Sequence, residues 1–135
     1  MNIFTYGSLM YFAVWSKIVG GRYQKCNGKL QGYARRRMHG SMYPGLVRAE
    51  GDVVVDGVVY FDINRVDIKK LDGFEGECYE RVSACIRTED CKYISCEVYV
   101  IKDKYTGLVS SEEWLPELFA RKGIKEFLKN WVELC

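Results

Sequence analysis

Histidine occurs once in this 135-residue chain, at His39, and that scarcity excludes more chemistry than any other feature of the composition. Ser-His-Asp and Cys-His nucleophilic sites need an imidazole base, so any such site would have to use His39. It follows Arg35, Arg36, Arg37 and Met38 at the exit of an expected strand and reads as a solvent-facing loop residue. The stretch "TYGSLM" has no glycine two positions after Ser8, so it is not the Gly-x-Ser-x-Gly nucleophile elbow. It also lacks the lysine and second glycine of a phosphate-binding loop. Charge of one sign is lacking as well: 20 Lys and Arg face 18 Asp and Glu, for a net +2. That balance argues against a nucleic-acid partner. On a strand Arg36 points away from Arg35 and Arg37, so the triple arginine reads as a solvated strand face. No apolar run approaches the length of a membrane span, and the opening Met-Asn-Ile-Phe-Thr-Tyr has neither a basic n-region nor a cleavage-type site. A cytoplasmic protein with no membrane partner is expected. With two prolines and no repeat or linker, residues 1–135 read as a single domain.

What is there begins with six cysteines, at 26, 78, 85, 91, 96 and 135. None forms Cys-x-x-Cys and His39 lies far from the cluster at 78–96, so no metal site is expected. The hairpin "RVSACIR–TEDCK–YISCEVYV" tests for a disulfide. Placing Val82, Ala84 and Ile86 on one face with Ile94, Cys96 and Val98 leaves Cys85 on the opposite face of the hairpin from Cys96. Free thiols packed as small hydrophobes are the expectation.

The periodicities outline an α+β chain. "NIFTY" reads as a first strand and "YGSLM" as the turn after it. "YFAVWSKIV" reads as a helix stopped by Gly20-Gly21. One or two strands broken by Gly28 and Gly32 cover about 24–38, and "GSMYPGL" reads as a loop with turn chemistry at Pro44-Gly45. Asp56-Gly57 between two β-branched runs is the strongest hairpin signal in the chain. "NRVDIKKLDGFEG" reads as a helix with Asn64 as N-cap and Gly76 as stop. The tail from about 111 reads as helical, opening with a Ser cap ahead of Glu112 and Glu113 and interrupted near Pro116 and Gly123. Trp114, Leu118, Phe127, Leu128 and Trp131 form its apolar side. Five or six short strands need their edges covered, so the mixed sheet is expected to curl into a closed or nearly closed barrel flanked by helices.

One carboxylate stands out. Ile68, Leu71 and Glu75 fall at i, i+3 and i+7, one side of a helix. If the two aliphatic residues face the core, Glu75 faces it too, in the last turn before Gly76. An inward carboxylate is costly unless its pKa rises or it finds a partner, and such a group can exchange protons near neutral pH. The other reading is that the helix frays before Glu75 and its side chain is solvated.

The order "TYGSLM", "LQGY", "MYPGLVRAEGDVVVDGVVYFDI", "LDGFEGECYERV" closely resembles the γ-glutamylcyclotransferase-like superfamily, with the AIG2-like branch nearest. The shared segments are Tyr6-Gly7-Ser8, Gly57-Val58-Val59-Tyr60 and the run from Leu71-Asp72 through Glu75-Gly76 to Tyr79 and Arg81. The resemblance implies a mixed β-barrel with a pocket at one end. It also implies cyclisation of a γ-glutamyl group, whose own α-amine attacks the γ-carbonyl to give 5-oxoproline and release an amine or amino acid. It puts Glu75 at the position of the catalytic glutamate, Tyr6, Gly7, Ser8, Leu9 and Met10 at the substrate-binding loop, and Tyr79 beside them. The substrate supplies the nucleophile, so neither histidine nor a cofactor or metal is required. The expected partner is a small γ-glutamyl molecule, and the expected assembly a monomer or weak homodimer. The alternative is a non-catalytic module that binds a small carboxylate or γ-glutamyl ligand.

Overall fold

A computed structural model describes the backbone of residues 1–134 and the side chains of residues 1–129. It is α+β, with a closed five-stranded barrel. The strands are β1 (Ile3–Thr5), β2 (Lys25–Gln31), β3 (Tyr33–Met38), β4 (Pro44–Arg48), β5 (Val54–Tyr60), β6 (Tyr79–Thr88), β7 (Tyr93–Ile101) and β8 (Val109–Glu113). The barrel order is β1-β5-β2-β6-β7, closed where β1 runs parallel to β7 with Ile3 opposite Glu97. Strands β4, β3 and β8 form a separate small sheet. Helix α1 (Phe12–Ile18) follows a 3₁₀ turn at Ser8–Met10, and α2 (Arg65–Glu75) connects β5 to β6. The C-terminal segment enters at Pro116–Leu118, passes a π-helical turn at Phe119–Gly123 and continues as α3 (Ile124–Leu134).

The hairpin register is the one the apolar pattern requires. Val82 lies opposite Val98, Ala84 opposite Cys96, and Ile86 opposite Ile94, which leaves Cys85 opposite Ser95. Cys26, Cys78, Cys85, Cys91 and Cys96 are free thiols, whereas Cys135 lies outside the described residues. The core is in two parts. Phe4, Leu30, Val55, Val59, Ile86 and Val98 fill the barrel, while Trp15, Tyr60, Ile68, Leu71 and Phe119 pack the helices onto its outside. Trp15 stacks on Tyr60 with ring centroids 3.6 Å apart.

Helix α2 is anchored at both ends. The Asn64 side chain accepts from the Asp67 amide at 2.8 Å, and Gly76 ends the helix at φ +84°. Buried Asp67 accepts from the Gly20 and Gly21 amides at 3.1 and 3.0 Å and from the Tyr23 hydroxyl at 2.6 Å. Burial alone would raise its pKa, but those hydrogen bonds outweigh it and hold the carboxyl below its usual value. This ties α2 to the connection after α1 and so fixes the direction in which the end of α2 points.

Five expectations are corrected. Asp56-Gly57 is not a hairpin turn: β5 runs straight through it, pairing with both β1 and β2. Gly57 is instead a point of close approach, where a Cβ would collide with the Thr5 carbonyl and the Phe4 ring. Gly28 does not break β2 but pairs with Gly57 inside it. Pro44-Gly45 opens β4 rather than a turn, with proline as the first residue of an edge strand, where no ladder N–H is needed. The segment 109–113 is a strand, not the start of a helix, because Met38 and Arg36 of β3 pair with Val109 and Glu113. Finally, Leu118 is exposed while Phe119 is buried. The inward position at the start of the segment is thus one residue later than expected. Trp114 is buried but precedes the helix, Phe127 is buried, Leu128 packs against the core, and the side chain of Trp131 lies outside the described ones.

Candidate functional site

At one end of the barrel a cavity of about 390 Å³ opens between the turn after β1, the β3–β4 connection and the end of α2. Its walls include Tyr6, Gly7, Ser8 and Leu9 from the first, Tyr43 and Pro44 from the second, and Glu75 with Tyr79 from the third. Six of the seven residues expected at the site therefore meet here. Met10, the seventh, does not line the cavity and packs against the helical core. His39 stands exposed at the rim.

Local geometry explains each placement. Strand β1 ends at Thr5, whose hydroxyl donates to the Val58 carbonyl at 2.8 Å. The chain then turns through Gly7, where a Cβ would sit 2.6 Å from Pro44 Cγ. Gly7 is thus small so that two walls of the cavity can touch. The Met10 amide donates to the Gly7 carbonyl at 3.0 Å, closing the 3₁₀ turn. The amides of Gly7, Ser8 and Leu9 have no acceptor among the described residues, as expected at the start of a helical turn. Ser8 is buried, and its hydroxyl makes no hydrogen bond to His39 among the described residues, so no base is paired with it as a serine nucleophile requires.

Glu75 is the last residue of α2, below buried Ile68 and Leu71, so the helix does not fray before it. It is half-buried and has no hydrogen-bond or ion-pair partner among the described residues. Burial, and next the charge of Asp72 one turn earlier, push its pKa up to about 8. A second, more polar cleft adjoins it, lined by Asp72, Glu75, Gly76, Tyr79, Arg81 and Tyr99. Tyr6, Tyr79 and Tyr99 line the cavity together with Glu75. Tyr6 Oη donates to the Tyr99 carbonyl at 2.5 Å, Tyr79 Oη to the Pro44 carbonyl at 2.8 Å, and Tyr99 Oη to Asp72 Oδ1 at 2.6 Å. Burial raises the pKa of all three well above the tyrosine norm, and the nearby charge of Glu75 raises each further. They remain neutral hydroxyls at any physiological pH.

Arg35 braces the first wall. It is not part of a solvated strand face. One Nη1 donates to the Tyr6 carbonyl at 2.9 Å and to the Asp56 carbonyl at 3.2 Å, and the guanidinium lies 5.2 Å from the Trp114 ring centroid. Trp114 Nε1 in turn donates to the Met42 carbonyl at 2.7 Å. One stacked pair thus holds the β1 turn and the β3–β4 connection at once. Arg36 donates instead to the Ser111 carbonyl, and Arg37 pairs with Glu112. The sequence assigned none of Tyr43, Pro44, Tyr99 and Arg35 to the site. Only the tertiary fold brings the first three to the cavity wall and Arg35 to the Tyr6 carbonyl behind it.

A closed mixed barrel with an acidic residue at the mouth of its end cavity defines the class, and comparison with known proteins makes it specific. The family model described as gamma-glutamyl cyclotransferase, AIG2-like, matches residues 3–116, and the chain belongs to that family. Two Arabidopsis thaliana proteins, Protein AIG2 C and AIG2-like protein A, are each 29% identical over 133 residues, covering 95% of this chain and 79% of theirs. The solution structure of an Arabidopsis thaliana protein superposes with a TM-score of 0.72 at 28% identity, covering 96% of this chain and 87% of that one. A solved gamma-glutamyl cyclotransferase shares the fold at a TM-score of 0.64 and 21% identity, covering 75% of this chain and 66% of its own. Among the described residues no helix is long and apolar enough to cross a membrane.

Proposed function

We propose that the protein is a γ-glutamyl cyclotransferase in which Glu75 moves the proton. The observation that carries this reading is that Glu75, with a carboxyl that titrates near pH 8, lines the same cavity as the unpaired amides of the turn after β1. Glu75 takes a proton from the substrate's α-ammonium, and the freed amine attacks the γ-carbonyl carbon. The tetrahedral intermediate breaks its bond to the leaving nitrogen as Glu75 returns that proton to it. The ring nitrogen then loses its second proton to the restored carboxylate, which passes it to the released amine or to water. The products are 5-oxoproline and a free amine or amino acid. The amides of residues 7–9 serve the substrate carboxylate or the developing oxyanion.

Because the nucleophile is intramolecular, much of the acceleration comes from folding the γ-glutamyl chain back on itself. Well-oriented intramolecular attack reaches effective molarities of about 10⁵–10⁸ M. The test is to incubate the protein with a panel of γ-glutamyl amines and amino acids and assay 5-oxoproline. Turnover that falls ~10²–10⁴-fold in Glu75→Gln supports the reading. Full activity in that variant overturns the role of Glu75. Thermal stabilisation by the panel without product favours a binding module instead.

A further inference from the structure

Charge that balances over the whole chain is unevenly placed along it. All 18 acidic residues lie beyond position 49, whereas residues 1–49 carry eight Lys and Arg. Five of those eight are engaged. Lys29 pairs with Asp56 and Arg37 with Glu112, Arg35 and Arg36 donate to carbonyls, and Arg48 lies over the Tyr33 ring. The other three, Lys17, Arg22 and Lys25, are exposed and have no carboxylate partner among the described residues. They belong to α1, the connection after it and the start of β2.

The bonds from the Gly20 and Gly21 amides and the Tyr23 hydroxyl to Asp67 clamp that connection to α2. Helix α2 adds Arg65, Lys69 and Lys70 to the same surface. Lys70 Nζ lies 3.4 Å from where a Cβ on Gly20 would stand. Arg65 and Lys69 are exposed and likewise lack a carboxylate partner among the described residues. Asp67, the acid within this group, is buried and 3.7 Å from Lys70. Acids of adjoining segments are engaged elsewhere. Asp62 lines a cleft with Met1, Asn2 and Ser95, Glu89 accepts from the Asn27 amide, and Asp72 accepts from Tyr99. Two apolar side chains project among the cations. Phe12 is 67% exposed, with Lys25 Nζ 5.9 Å from its ring centroid, and Val66 is 64% exposed. Val66, Lys69 and Lys70 share one side of α2 at i, i+3 and i+4.

We infer that this surface, formed by α1, the connection after it and the first turns of α2, docks on an anionic lipid bilayer. The lysines and arginines meet the negative headgroups, while Phe12 and Val66 enter the boundary between headgroups and acyl chains. The apolar pair favours lipid over nucleic acid. An aliphatic side chain gives a base no π-face to stack on, and a phosphate backbone offers no apolar phase. The expectation of no membrane partner rested on the lack of a spanning segment, which a surface contact does not need. None of these residues lines the cavity at Glu75, so docking leaves its mouth open.

The experiment sediments the full chain with vesicles of phosphatidylcholine alone and of phosphatidylcholine containing about 30% phosphatidylserine, at low and high salt. Retention by the anionic vesicles alone, weakened by salt, is expected. Lys17→Gln combined with Lys69→Gln should weaken it about 25-fold, from about fivefold per charge. Phe12→Ser should weaken it about tenfold and leave the salt dependence as it was. Phe12→Trp should tighten it. Circular dichroism establishes that the variants fold. If Phe12→Ser does not fold, Phe12→Trp decides, and an unchanged affinity overturns the inference. No retention, or equal retention by both kinds of vesicle, also overturns it. So does binding to a single-stranded RNA oligomer as tight as to the vesicles and insensitive to Phe12→Ser, which identifies a general polyanion surface. Formation of 5-oxoproline from a soluble substrate should be the same in every variant, so failure of this inference and failure of the cyclotransferase reading are separate results.

Discussion

Gly7 and Pro44 touch so closely that a Cβ on Gly7 would lie 2.6 Å from Pro44 Cγ. The contact joins the turn after β1 to the first residue of β4, two walls of one cavity. Gly7→Ala should force those walls apart. Overpacking of this kind costs about 1–3 kcal/mol, which is expected as a lower melting temperature. Calorimetry checks the stability loss, and a rise in KM with a γ-glutamyl substrate checks the displacement of the turn.

Glu75 makes stability fall as pH rises. Its carboxyl is pushed up to about 8 in the fold, against about 4.3 for an unfolded chain. Between those values the native state binds the extra proton, so its stability declines from about pH 4.5 upward and levels above about 8. Glu75→Gln removes this penalty. Because the residue is half-buried, solvent screening moderates the gain. We expect a melting temperature higher by about 2–5 °C at pH 8.5 and nearly unchanged at pH 4.5. Melting curves at the two values check the sign.

Catalysis should show the opposite slope. The carboxylate is the form that accepts the ammonium proton, so kcat/KM should rise about tenfold per pH unit below about 8. Asp72 contributes to that position after burial itself. Asp72→Asn removes its charge but keeps an oxygen able to accept from Tyr99. The acid limb should move to lower pH, raising the rate at pH 7 by about two- to threefold. A full pH–rate profile of both proteins measures this.

Arg35 acts on the cavity through the Tyr6 carbonyl and Trp114. Arg35→Lys retains the charge and loses the planar fork and stacking surface. The expected outcome is a KM about tenfold higher with a smaller change in kcat, and a melting temperature lower by a few degrees. Steady-state kinetics alongside thermal unfolding separates loosened substrate binding from general destabilisation.

Legibility in the sequence followed the range of the interactions. The Asn64 cap, the Gly76 stop and the 82–86 against 94–98 register rest on neighbours in the chain or across one hairpin, and their patterns were readable. Asp56-Gly57 misled because its local signal is that of a turn, while β2 pairs with both residues and β1 with those just after them, holding the strand extended. Val109–Glu113 misled for the same reason: serine followed by glutamates resembles a helix start, but β3 recruits the segment as an edge strand.

By itself the sequence determined the chemistry available: a single histidine, a glutamate at the same helical spacing as Ile68 and Leu71, and a glycine turn behind the first strand. Residue identity and helical spacing are sufficient for that. Only the tertiary structure decided that the turn and the carboxylate share a cavity, that Arg35 turns inward to brace Tyr6, and that Tyr6 and Tyr79 spend their protons on the carbonyls of Tyr99 and Pro44. These are contacts across 29 to 93 positions of chain. Barrel closure and helix packing set them, and no local pattern encodes which oxygen a hydroxyl will meet.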